Sequence, residues 1–212
     1  MAGGALTDWI GVIIAVIGSS AALVQYSINS RRNKAIKAAD EIDALLKDKR
    51  VKAVLRMIER SSGYVVLESE VAPTNAVFVG EQEFLLSLRH HGTRRNEIAD
   101  YNEEVDKFFT ESRQQGKSWE FIFSPDEQMV RDAFDDFLGR LERIESLMKN
   151  GVIAQADFSD HFSYWLKLMD ENEPTKPSHF SIHKRTAFWR YIREYEFNGV
   201  IRLFARFGRV KS

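Results

Sequence analysis

The stretch "SHFSIH" sets His179 and His183 four residues apart. On a helix that spacing puts two imidazoles on one side, where they can share a zinc ion. A zinc-protease helix also carries a glutamate beside its first histidine, and no acid lies between these two. A third ligand would have to come from His161, His90 or an acid elsewhere. Structural or surface histidines are therefore the preferred reading, and neither a metal nor a cofactor is expected.

"RHHGTRR" gathers Arg89, His90, His91, Arg94 and Arg95. A basic turn of this kind can hold an anion. Consecutive helical residues point in different directions, however, so His90 and His91 need not share a site. A solvated loop is preferred. "QQGKSW" has the Gly-Lys-Ser ending of a phosphate loop, but Glu111 stands where the first glycine belongs, five residues before Gly116. Asp135, Asp136, Glu142 and Glu145 could pair for acid–base work. They share a helix with Phe134, Phe137, Leu141 and Ile144, so they read as its wet side. The Arg-then-His spacing of all-α HEPN-type ribonucleases is not found. The chain has no cysteine, which removes thiolate zinc sites, disulfides and a cysteine nucleophile. No catalytic residue is assigned.

These candidates sit in a chain of 212 residues, a length that suits one domain or one domain with an anchor. A net charge of -1 implies no nucleic-acid partner from the total. Between Asp8 and Arg31 no residue is charged, a run of 22. As a helix that run spans ~33 Å, close to the ~30 Å hydrocarbon thickness of a bilayer. Trp9 and Tyr26 stand where aromatic belts lie, and Arg31, Arg32, Lys34 and Lys37 follow at once. Gly11, Gly18, Ser19, Ser20 and Gln25 oppose insertion. The expectation is a transmembrane anchor at 1–30, with the N-terminus outside, and a cytoplasmic α-helical domain at 31–212, single-pass in a bacterial inner membrane. A cleaved signal peptide fits less well, because no Lys or Arg precedes the run, and so does the core helix of a soluble domain, which rarely needs so long an uncharged stretch. Gly11, Ala15, Gly18 and Ala22 fall on one face of the span and would let two helix backbones approach.

Beyond residue 31 the pattern is mainly helical, and the fold class expected is all-α, an irregular bundle. Ile36, Ala39, Ile42, Leu46, Leu55 and Ile58 mark one stripe, with Gly63 as a stop. Residues 64–79 read as an irregular connection around Pro73-Thr74-Asn75, with room for a small hairpin. A short helix near 82–89 and another carrying Ile98, Tyr101, Val105 and Phe108 follow. "SPDE" gives the clearest start: Ser124 as cap, Pro125 in the first turn, Glu127 closing a capping box. Val130, Phe134, Phe137, Leu141, Ile144 and Met148 then form an a/d seam that Asn150-Gly151 ends. Phe158, Phe162, Trp165 and Met169 point inward from the next helix. The last segment carries Phe188, Ile192 and Tyr195, a turn at Asn198-Gly199, and then Val200, Leu203, Phe204 and Phe207.

Charge is unevenly spread. Residues 97–145 hold fourteen acids against six bases, and 184–211 hold eight bases against two acids. The basic tail is also aromatic. Its preferred reading is a terminal helix whose rings close the core while its arginines face water or pair with the acidic middle. One alternative is a membrane-surface role, with Arg202, Arg206 and Arg209 joining Arg31, Arg32, Lys34 and Lys37 at lipid headgroups; the other is a grip on single-stranded nucleic acid through stacking and phosphate contacts.

Residues 130–166, "VRDAFDDFLGRLERIESLMKNGVIAQADFSDHFSYWL", resemble a helix-Gly-helix unit of uncharacterised bacterial single-span membrane proteins. There an apolar helix with a central acid precedes "GVI" and an aromatic helix. The general layout is also similar to phage abortive-infection proteins. The resemblance implies a bacterial inner membrane and transfers no catalytic position. The expected function is a membrane-tethered, non-enzymatic interaction or regulatory module. Its expected partners are the lipid bilayer and a second copy or another membrane protein. A phage-defence effector that perturbs the membrane and a metal-dependent hydrolase stand as alternatives.

Overall fold

A computed structural model describes residues 4–67, 75–93, 123–172 and 180–210; within them the side chains of 4–18, Ala21 and Asn75 fall outside the description. Seven helices and a two-stranded sheet are present among the described residues, in the order α1 (Gly4–Lys47), α2 (Lys49–Glu59), β1 (Gly63–Leu67), β2 (Asn75–Val79), α3 (Glu81–Ser87), α4 (Pro125–Lys149), α5 (Gln155–Leu168), α6 (Ile182–Glu194) and α7 (Asn198–Arg206).

Helix α4 is the hub, packing against α2, α3, α7 and β1. Its start is the capping box that its sequence spells. Ser124 Oγ accepts from Glu127 N at 3.2 Å, and Glu127 Oε2 accepts from Ser124 N at 3.1 Å. Its seam residues Val130, Phe134, Phe137, Leu141, Ile144 and Met148 are all buried. Gly151, at φ 67°, makes the left-handed turn after Asn150. From α5, Phe158, Phe162, Leu166 and Met169 reach the same core, while Trp165 is half-buried. Edge-to-face rings from Phe84, Phe134, Phe180 and Phe188 fill its centre.

Several expectations are corrected. Among the described residues no helix is long and apolar enough to cross a membrane. The transmembrane anchor, the single-pass inner-membrane placement and the outside N-terminus are withdrawn. An uncharged run is not the same as an apolar one, and Ser19, Ser20, Gln25, Ser27 and Asn29 dilute this run with polar groups. Helix α1 also passes residue 31 without a break and ends only at Lys47. There Asp48 starts a new helix, its carboxylate accepting from Arg50 N and Val51 N. The chain is not purely α either. Strands β1 and β2 pair antiparallel, with Tyr64 opposite Phe78 and Val66 opposite Ala76. The turn expected at Asn198-Gly199 sits two residues earlier, at Glu196 with φ 57°, and Asn198 and Gly199 open α7. The helix expected around Ile98, Tyr101, Val105 and Phe108, and the "QQGKSW" stretch, lie outside the described residues.

Candidate functional site

His183 lies in the first turn of α6, exposed, with Nδ1 3.2 Å from Glu81 Oε1. Ser181 Oγ donates to the same oxygen at 2.6 Å. His179 is outside the described residues, and His161 and His90 are exposed on other elements. Among the described residues no three His, Asp or Glu side chains gather to hold a metal.

The densest polar cluster forms where the chain leaves α3. Arg89 is fully buried; its Nη1 donates to Leu86 O at 2.6 Å and to Glu127 Oε2 at 2.9 Å. One turn along α4, the buried Arg131 Nη1 donates to Ser87 O and Arg89 O at 3.3 and 3.0 Å. The Arg131 guanidinium is flanked by the rings of Phe123, Tyr191 and Tyr195, with centroids 4.8, 4.8 and 4.5 Å away. His91 lies at the mouth of this cluster. Its Nδ1 is 2.6 Å from Tyr195 Oη and 3.4 Å from Arg131 Nη2. Arginine can only donate, so Nδ1 is the acceptor and the ring proton resides on Nε2. Desolvation and the positive charge of Arg131 hold the His91 pKa below its ordinary value. Behind them the buried Tyr191 donates its hydroxyl to Asp135 at 2.6 Å. Burial and this carboxylate push the tyrosine pKa up, and desolvation pushes that of Asp135 up.

This arrangement ties the corner after α3 to α4 and α6. With Nδ1 engaged and the proton on Nε2, His91 offers a donor and no outward lone pair for a general base. Both inner arginines spend donors on backbone carbonyls of the corner they hold. Of the residues singled out in "RHHGTRR", Arg89 and His91 enter the cluster, His90 stacks beside Tyr195 at 6.1 Å, and Arg94 and Arg95 lie outside the described residues. Sequence reasoning missed Arg131, Tyr191 and Tyr195. The one available signal was an arginine, Arg131, directly beside the seam residue Val130 of α4.

The basic tail turns inward. Arg206 lies 3.0 Å and Arg202 3.6 Å from the buried Glu145 carboxylate, and Arg209 lies 2.7 Å from the buried Asp170. Arg185 donates to Asp170 O and Trp189 Nε1 to Met169 O, fastening α6 to the end of α5. Lys184 Nζ, buried, donates to the carbonyls of Arg60 and Ser61 at 3.1 and 2.9 Å and so caps the end of α2. Desolvation lowers its pKa. Glu142 accepts from Gly199 N at 2.7 Å, Asp135 turns its carboxylate to the Tyr191 hydroxyl, and Asp136 is exposed.

Among the described residues two apolar surfaces are open to water. From Ala22 to Lys37 every side chain of α1 except that of Ser30 is exposed, including Arg31, Arg32, Lys34 and Lys37. Ala22 of the small-residue face is among them; Gly11, Ala15 and Gly18 fall where side chains are not described. Val24 and Ile28 stand 60% and 55% exposed, in register with the buried Ala38, Ile42 and Leu45 farther along the same helix. The second surface is the outer face of the hairpin. The chain matches no protein-family model, no curated protein and no solved structure.

Proposed function

We propose that this chain is a non-enzymatic interaction module that pairs with a second copy of itself through α1. The observation that carries the reading is a seam half buried and half open. Val24, Ile28, Arg31, Ala35, Ala38, Ile42 and Leu45 alternate by four and three along one stripe. Its C-terminal part, Ala38, Ile42 and Leu45, is buried in the body, whereas Val24 and Ile28 face water. Each of those two is worth roughly 1–2 kcal/mol once covered. Arg31 interrupts the seam, and two parallel copies would bring it against itself, so the pairing is antiparallel.

Sedimentation velocity on the full chain tests this. The wild type sediments above the protomer mass, and Val24→Glu with Ile28→Glu returns it to that mass. A wild type that stays at protomer mass across concentration overturns the reading.

A further inference from the structure

The strand sequences "GYVVL" and "NAVFV" are apolar at every position from 64 to 67 and from 76 to 79. A ribbon with one face on a core and one in water alternates apolar with polar, and an unbroken apolar run belongs to a strand covered on both sides. Here Val65, Leu67, Val77 and Val79 point inward and are buried against α2, α3 and α4. The outward face holds Tyr64, Val66, Ala76 and Phe78. Tyr64 is 71% and Phe78 45% exposed, with their rings edge-to-face at 5.4 Å. Among the described residues each strand pairs only with the other, so each keeps an unpaired outer edge.

The surroundings indicate what covers this face. On α2, Lys52, Arg56 and Arg60 recur at one-turn spacing, all exposed, and Arg56 and Arg60 line a depression together with Tyr64. Among the described residues none of the three has a carboxylate partner. A second copy would bring this basic row against itself. Nucleic acid would need ring faces on which bases can stack, whereas Tyr64 and Phe78 are packed against each other beside aliphatic Val66 and Ala76. We infer that the outer face of the β1–β2 hairpin, with Lys52, Arg56 and Arg60 at its side, docks an acidic, extended polypeptide segment bearing apolar side chains. Such a segment adds to an open strand edge, sets apolar groups on the Tyr64–Phe78 face and points carboxylates at the arginines. The site is independent of α1.

Binding of the full chain to an array of short random-sequence peptides, with labelled single-stranded RNA as a second probe, tests the inference. Retained peptides are expected to be enriched in Asp and Glu alternating with apolar residues. Their retention falls at least about tenfold in Tyr64→Thr/Phe78→Thr and separately in Arg56→Glu/Arg60→Glu. It is unchanged in Val24→Glu/Ile28→Glu. The four substituted residues, Tyr64, Phe78, Arg56 and Arg60, are all exposed, and melting curves check that each variant folds; should the strand variant unfold, the charge reversal alone still decides. No compositional preference, equal retention by the folded variants, or RNA bound in preference and lost in the same variants overturns it.

Discussion

Arg131 Nη2 lies 3.4 Å from His91 Nδ1, across 40 residues of sequence; desolvation first, and then the charge of that arginine, lower the pKa of the imidazole. Among the described residues, Arg89, His90, Asp135 and Tyr195 are the other ionisable groups facing it. Unfolded, His91 takes up its proton near the ordinary value of 6.5; folded, it does so only at lower pH. Between the two values the unfolded state holds more protons, so this contribution to stability is fully present above the window and is lost as pH falls through it. NMR titration is expected to place His91 below 6.5. Urea midpoints are expected to decline from about pH 7 to about pH 5, and His91→Gln flattens that decline. An ordinary titration point for His91 counts against the contact.

The Arg89–Glu127 pair is sealed from water, with the arginine fully buried and the carboxylate nearly so. Arg89→Met leaves Glu127 charged and buried, and urea denaturation is expected to show a loss of about 3–5 kcal/mol. Pairing Arg89→Met with Glu127→Gln recovers part of that loss, because the buried charge that Arg89 balanced is removed as well. The recovery is incomplete, since Glu127 also caps α4 through Ser124 N. Strict additivity of the two substitutions refutes the coupling.

What was legible in the sequence was local. Ser124, Pro125 and Glu127 announce the start of α4 within four residues, and the a/d seam that follows is buried as its spacing requires. The corner at His91 was not legible, because Arg131 and Tyr195 come to it from 40 and 104 residues away. The break at Asp48 escaped notice because the helical pattern runs on across it; only the carboxylate on Arg50 N and Val51 N reveals a new helix start. The opening run misleads because an uncharged stretch need not be an apolar one. Of Pro73-Thr74-Asn75 only Asn75 falls within the described residues, where it opens β2, and the strand pairing itself rests on the apolar residues 64–67 and 76–79.

Gly199 and Gly139 invite opposite outcomes from one substitution. A Cβ on Gly199 would lie 2.9 Å from Glu142 Cγ and 3.0 Å from its Cβ, where α7 meets α4. Gly199→Ala is therefore expected to cost about 1–3 kcal/mol in thermal or urea unfolding. Gly139 lies inside α4 with nothing within 4 Å of an added Cβ. Gly139→Ala gains about 0.5–1 kcal/mol through helix propensity. Equal effects at the two positions would contradict the close approach.

The arginines of the tail distinguish internal pairing from an open basic surface. Arg202 and Arg206 both address Glu145, whose side chain is 2% exposed while theirs are 58% and 36% exposed. Water screens the arginine end, so the pair is worth less than a sealed one, but its carboxylate has nowhere else to turn. Replacing both arginines by Gln is expected to cost about 1–2 kcal/mol. Arg32→Gln with Lys37→Gln, on the exposed stretch of α1, changes stability by less than about 0.5 kcal/mol. Adding Glu145→Gln to the Arg202/Arg206 variant should restore much of the loss, since the demand for a cation then vanishes. If the two pairs of substitutions prove equally silent, the tail arginines are surface charges and Glu145 is held by packing alone.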